Sequence, residues 1–404
     1  MTRPRAHLGD SHNFGRRVTR REGRVLKPRT IFWEHLVLSA QSPLRRALDE
    51  AAEQDGLGRE AFAFLPDLAF EPRDPIGGEV QALLLDPLPE LSHDGRRALA
   101  RIAGRALALF GWLGVADLHW ENLALGADDR GRTVFAPLDV EMILADLSLP
   151  TETKLLPDAD PEYAALSRHA CGVRRLLPWL GKPIAPGDLV LMAAAYHGTL
   201  ASLERHAPAL AKAVASAPGL REAPIRVCLR ATAEYVSERP QDLWPPLLDE
   251  EKEQLARGDV PYFFRLYGRP GIHYYADESL ARIATLPLEG DVPRLDPLLS
   301  LSRDLRSPSR AALREQGLFT VLGAFDHASF RGKHREDGVE VAFGKRNLVV
   351  QLPNGDELEA RRDLRAFVGS VYLPCGCGEV RSVFVPPVTR CETALVGASA
   401  RKKS

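Results

Sequence analysis

From Gly95 to Leu113 the apolar residues Leu99, Ile102, Ala106, Leu109 and Leu113 recur at three- and four-residue spacing, the pattern of an amphipathic helix, and Gly114 stops it. The run IFWEHLVLSAQSPLRRALDEAAEQD predicts two short helices over residues 31 to 55, separated by Ser42-Pro43. Residues 160 to 255 are expected to be mostly helical, with clear faces in GDLVLMAAAYHGTLASLERHA and in RVCLRATAEYV. Alternation takes over elsewhere. RRVTRREGRVLK predicts a β-hairpin around Glu22-Gly23, and AFAFLPDLAF and GGEVQALLLDPLPEL each predict a strand. A strand is also expected after the DRG turn, ending at Asp139. From about Arg310 alternating strands surround Asn354-Gly355, which predicts a small β-rich domain over residues 306–404 behind a larger domain over residues 1–305. The fold class expected is α+β.

With 404 residues, 45% of them hydrophobic, the chain can build a substantial core. The 53 Lys and Arg nearly cancel the 54 Asp and Glu, so overall charge makes no case for a nucleic-acid partner. Basic surface is local: nine arginines and lysines fall in the first 29 residues, without the apolar run that follows the basic region of a signal peptide. No apolar stretch reaches the roughly 18 residues of a membrane span. Five scattered cysteines do not form a disulfide framework, which points to a reducing, cytoplasmic setting. Cys375 and Cys377, with Cys391 as a third thiolate, could bind zinc, but C-G-C is tighter than the usual ligand spacing and no partner histidine is evident, so the simpler reading is a turn carrying thiols.

The chemistry gathers in DLHWEN. Asp117 and Asn122 stand five residues apart ahead of a strand that leads to Asp139 and Glu141, the order in which kinase-like folds orient a hydroxyl and hold Mg²⁺ against ATP phosphates. Oxygen ligands suit Mg²⁺, and Asn122 with Asp139 supplies a carbonyl and a carboxylate. Asp117 then accepts or orients the proton of the attacking hydroxyl. Lys27, on an upstream strand, fits the lysine that neutralises phosphate charge. Each residue alone also has a plain structural role: a solvated lysine, a turn at GDSHN, a surface arginine. In GDVPYF the expectation is structural, with Asp259 turning the chain and Tyr262 and Phe263 packing.

Taken in order, GDSHN, VLKPR, DLHWEN, PLDVE, RVCLRATAEY and GDVPYF resemble the dehydratase domain of class II lanthipeptide synthetases over about residues 9 to 270. The resemblance implies a kinase-like core with a helical C-terminal lobe. It also implies an enzyme that phosphorylates Ser or Thr of a ribosomally synthesised precursor peptide with ATP and Mg²⁺ and then eliminates the phosphate. By the same resemblance Lys27 contacts phosphate, Asp117, His119 and Asn122 form the catalytic loop, and Asn122, Asp139 and Glu141 hold metal. Asp10 and His12, with Arg226 and Thr232 and with Arg230 between them, serve elimination. The chain departs from that family at both ends. No Cys-His-Gly run marks a zinc cyclase, so a separate cyclase is expected to close rings. GDSHN begins at residue 9, so the N-terminal lobe is expected to be partial, its flanking strands supplied by upstream sequence or by a partner protein. A homologue that only binds a peptide or partner, and a kinase without elimination, are the other readings.

Overall fold

The computed structural model describes residues 6–73, 76–145, 147, 150–157, 171–181, 183–229, 235, 247–286, 317–325, 327 and 329–361. Five antiparallel strands form the first sheet: β1 (Ala6–His12), β2 (Arg16–Arg21), β3 (Arg24–Lys27), β4 (Phe70–Pro72) and β5 (Gly78–Gln81), in the order β1-β2-β3-β5-β4. The β2–β3 turn is the expected one, with Glu22 at φ 49° and Gly23 at φ 76°, the two positive dihedrals of a tight hairpin turn. β3 is thus flanked on both sides, by β2 and by β5, within residues 16–81. The expectation that the strands beside Lys27 would come from outside this sequence is corrected. Residues 61 to 69, read as a strand, form turns instead, and pairing begins only at Phe70.

Between β3 and β4 lie α1 (Phe32–Leu38) and α2 (Pro43–Gln54), divided at Ser42 as expected. Ser42 Oγ accepts the Arg45 amide at 3.1 Å while Pro43 takes the first helical position, where its missing N–H costs nothing. α3 (His93–Leu113) is capped by Ser92 and ends on left-handed Gly114 at φ 65°. A side chain at Gly114 would meet the Ala145 carbonyl at 2.0 Å, so only glycine lets the helix end pack on the segment after Asp139. Three amides bind it there: Leu144 to Leu113, Ala145 to Gly114 and Ala116 to Met142, at 2.9 to 3.1 Å.

α4 (Leu177–Leu180) is a single turn before α5 (Pro186–Arg205), whose Leu189 to Ala193 are buried without exception, as befits a helix that is apolar all round. α3 and α5 pack closely enough that a side chain at Gly104 would strike the Met192 carbonyl at 2.1 Å. α6 (Ala207–Ala215) follows. The hairpin β6 (Leu123–Ala127) and β7 (Thr133–Pro137) turns through Asp128 to Arg132, and β7 stops two residues short of Asp139.

A second sheet is built from β8 (Ile225–Val227), β9 (Phe263–Leu266), β10 (Arg269–Tyr275) and β11 (Ile283–Thr285), with α7 (Asp249–Ala256) before β9. Arg226 therefore stands on a strand, not on the helix that RVCLRATAEYV suggested. The β-branched and aromatic partners Val227 and Phe263 pair directly, and this sheet contact outweighs the helical spacing.

The last sheet, β12 (Gly332–Glu336), β13 (Val339–Phe343), β14 (Asn347–Gln351) and β15 (Glu357–Arg361), is a meander with the expected turn at Asn354-Gly355. Its buried Val339, Val341, Phe343 and Val350 join the same apolar core as α3 and α5. Two arginines of α3 secure it: Arg97 reaches Glu336 at 3.0 and 2.5 Å, and Arg101 reaches Asp337 at 2.9 and 3.0 Å. Cys375, Cys377 and Cys391 lie outside the described residues, whereas Cys171 is buried, Cys228 is half-buried, and neither is in a disulfide.

Candidate functional site

Lys27 ends β3, and Pro28 extends the chain so that Lys27 and Arg29, two apart, reach the same acceptor on α1. Glu34 Oε1 receives Lys27 Nζ at 2.9 Å and Arg29 Nη1 at 2.8 Å. All three side chains are buried, Glu34 to 1% exposure. Lys27 Nζ also donates to the Leu138 carbonyl at 2.7 Å, which seats the ammonium beside Asp139. Neither Arg29 nor Glu34 was singled out from the sequence. The signal was present in K-x-R followed by a helix carrying one glutamate, and only the fold made it legible.

The DLHWEN loop is organised from within. Asp117 has φ 64°, a left-handed conformation rare outside glycine, and its carbonyl accepts Asn122 Nδ2 at 2.9 Å. The same amide meets Asp117 Oδ2 at 3.3 Å. His119 Nδ1 accepts the Glu121 amide at 3.3 Å, so the ring carries its proton on Nε2, which faces Asp117 Oδ2 at 4.0 Å. The hairpin then brings the ends together, because Leu138 N donates to the Asn122 carbonyl at 2.7 Å and places Asp139 next to Asn122. A lysine that sequence reading missed, Lys154, holds Asp117 Oδ1 at 2.8 Å.

Asp139 and Glu141 meet arginines. Arg29 Nη2 lies 2.5 Å from Asp139 Oδ2, and its Nε lies 3.1 Å from Glu141 Oε2. Glu141 Oε1 takes Arg226 Nη1, and the Glu141 carbonyl accepts the Arg226 amide at 2.8 Å. The Arg226 guanidinium lies over the Tyr262 ring at 5.4 Å, and the His12 ring approaches the same tyrosine at 5.8 Å. His12 Nδ1 bonds to the Val260 carbonyl at 2.7 Å; a carbonyl only accepts, so Nδ1 carries the proton and Nε2 keeps its lone pair. Asp10 stands exposed beside it. Thr232 and Arg230 lie outside the described residues. Asp117, Asn122, Lys27, Asp139, Glu141, Arg226 and His12 are linked in a chain of contacts that passes through Leu138, Arg29 and Tyr262, while Asp10 stands outside it.

GDVPYF fixes this end of the site. Buried Asp259 accepts Ser11 Oγ at 2.7 Å and the Phe14 and Gly15 amides at 2.7 and 2.9 Å, so the β1–β2 turn is welded to the second sheet. Asp259 thus turns and ties the chain, and Tyr262 and Phe263 pack, as expected of them.

Three cations, Lys27, Arg29 and Arg226, and three carboxylates, Glu34, Asp139 and Glu141, cluster here, with Lys27, Arg29, Glu34 and Glu141 buried and Asp139 and Arg226 partly exposed. Burial opposes ionisation of Asp139, yet Arg29, Lys27 and Arg226 hold its carboxyl below the usual aspartate range. Burial and then the Arg226 charge push His12 below the ordinary histidine value, which keeps the ring neutral. Among the buried side-chain atoms without a hydrogen-bond partner in the described residues are the acceptors Asp139 Oδ1, Glu34 Oε2 and Glu141 Oε2 and the donor Arg226 Nε. Among those residues no group of three His, Cys, Asp or Glu converges on a metal site. A carboxylate oxygen beside an asparagine, such as Asp139 Oδ1 next to Asn122, is chemically compatible with the sparse protein share that Mg²⁺ takes when phosphates and water complete its shell. No protein-family model matches the chain, and no curated protein matches it either.

Proposed function

We propose that the protein phosphorylates Ser or Thr hydroxyls of a ribosomally synthesised peptide, using ATP and Mg²⁺, and then expels the phosphate to leave a dehydroamino acid. The observation that carries this reading is the buried Lys27–Glu34 pair, at 2.9 Å, with Lys27 also bound to the residue before Asp139. Protein kinases place a strand lysine against a helix glutamate and set both beside the metal-binding aspartate. A buried ion pair is weak support for stability alone, since well-packed apolar residues of similar volume often serve as well or better. Six charges retained together therefore favour a function for them.

Asp139 Oδ1, with Asn122 beside it, would hold Mg²⁺, and the bound nucleotide supplies the phosphoryl group. Lys27 neutralises phosphate charge and is kept extended by Glu34. Asp117, fixed by Asn122, orients the acceptor hydroxyl and takes its proton. In the second half-reaction His12 Nε2 removes the α-proton of the phosphorylated residue. The electron pair becomes the Cα–Cβ double bond, the Cβ–O bond breaks, and phosphate leaves with that oxygen. Arg226 Nε, a buried donor without a partner, suits the departing phosphate.

The kinase-like core with a five-stranded N-terminal lobe and a helical C-terminal lobe belongs to the same proposal, as do a cytoplasmic setting and a separate cyclase. Among the described residues no helix is long and apolar enough to cross a membrane. One observation favours a different reading, a homologue that binds a peptide or partner without catalysis: Arg29 already neutralises Asp139. Mass spectrometry separates the two. The protein is incubated with ATP, Mg²⁺ and Ser/Thr-rich peptides encoded beside its gene; loss of water supports the proposal and a stable phosphate adduct leaves only its kinase half. Unchanged peptide with no nucleotide binding overturns it.

A further inference from the structure

We infer that Lys154 is a catalytic residue of the phosphoryl-transfer half-reaction, the cation that meets the phosphoryl group at the acceptor end of its path. This rests on the phosphotransfer reading above. Lys154 Nζ lies 2.8 Å from Asp117 Oδ1, with the lysine side chain 47% and the aspartate 36% exposed, so the pair opens outward from a buried floor. The floor is made of Leu118, Thr153 and Leu155, each at most 1% exposed. Backbone bonds clamp both residues to it: Leu118 N to Thr153 O at 2.8 Å, Lys154 N to Thr151 O at 2.8 Å and Gly172 N to Lys154 O at 3.0 Å.

Both partners of this pair hold left-handed backbones, each at φ 64°. Lysine has no local side-chain bond that favours such a conformation, and glycine would occupy it without strain. A strained lysine facing a strained aspartate is the kind of outlier that supports a functional hypothesis. Position supplies the rest. Lys27 stands at the Asp139 end of the site, against Glu34 and the Leu138 carbonyl. Lys154 stands at the Asp117 end, where the acceptor hydroxyl is oriented. As the phosphoryl group passes from nucleotide to hydroxyl its charge moves from the first lysine toward the second. In the resting protein Lys154 neutralises Asp117. When the hydroxyl proton reaches Asp117 that attraction weakens, and the ammonium turns toward the charge of the incoming phosphoryl oxygens.

The test uses the full chain and isothermal titration with ADP and Mg²⁺, with and without aluminium fluoride as a mimic of the group in flight. Lys154→Gly is the principal variant, because glycine accepts the positive φ and removes only the side chain; Lys154→Arg restores the charge. The expected result is an unchanged ADP affinity in Lys154→Gly and a loss of about 10²-fold in the aluminium fluoride complex, the scale of removing one donor to a transition state. Lys154→Arg is expected to recover most of it. Equal fluoride-complex affinity in wild type and Lys154→Gly overturns the role of Lys154 and leaves the phosphotransfer reading standing. A wild-type protein that binds neither ADP nor the fluoride complex overturns both.

Discussion

The Lys27 ammonium and the Glu34 carboxylate meet at 2.9 Å on different elements, a strand end and a helix, with both side chains buried. Arg29 shares the same carboxylate oxygen at 2.8 Å. Removing Glu34 leaves two buried cations short of a counter-charge. Glu34→Ala is expected to lower stability by about 3–5 kcal/mol, the cost of breaking a buried pair on one side. Urea denaturation reads it, and a loss under about 1 kcal/mol would show that the cluster is solvated rather than dry.

Asp139→Asn keeps the side-chain shape but removes the charge expected to hold Mg²⁺, so ATP-dependent modification of the peptide should be abolished while the fold persists. Undiminished phosphorylation in this variant, read by mass spectrometry, sinks the assignment of Asp139. A pH dependence accompanies it. The folded carboxyl titrates below its unfolded value because, against the cost of burial, Arg29, Lys27 and Arg226 favour the anion. Its stabilising contribution is therefore present above the ordinary aspartate pKa and lost as pH falls through the lower folded value. Wild type should lose stability on acidification faster than Asp139→Asn, and parallel curves would contradict the ion pairing.

Arg226→Gln removes the charged donor proposed for the departing phosphate and leaves Lys27, Asp117 and Asp139 in place. Phosphopeptide is expected to accumulate where wild type yields dehydrated product. If phosphorylation disappears and elimination of a supplied phosphopeptide survives, the division of labour across the site is the reverse of the one proposed.

His12 is held neutral by burial and by the neighbouring Arg226 charge. As the proposed base for α-proton removal it would then be competent below the ordinary histidine pKa, and the acid limb of the elimination rate should lie on the acid side of that value. The sign for stability follows from the same shift: the unfolded chain binds the proton first, so stability falls as pH drops below the ordinary histidine value toward the folded one. A pH–rate profile for phosphate release from phosphopeptide gives the position of the limb. A limb at or above the ordinary value would remove His12 from this role.

Much of the fold can be read along the chain. Ser42-Pro43, Glu22-Gly23, Asn354-Gly355 and Gly114 mark where elements stop because their backbone needs are local: a cap, two positive dihedrals in succession, a left-handed helix end. The failures share a cause. RVCLRATAEYV has helical spacing, yet Arg226 lies on β8 because Val227 finds Phe263 across the sheet, a partner distant in sequence. AFAFLPDLAF is apolar enough for a strand, but Phe62, Phe64 and Leu65 enter the core from turns.

The sequence by itself determined the inventory of this site, Lys27, Asp117, Asn122, Asp139 and Arg226, because side-chain chemistry is a property of the residue and order along the chain is already given. Only the tertiary structure decided the pairing. Glu34, Arg29 and Lys154 joined the cluster when folding carried them to Lys27, Asp139 and Asp117. Charge attraction between side chains acts over a few ångströms, and such distances between remote residues exist only after the core has closed.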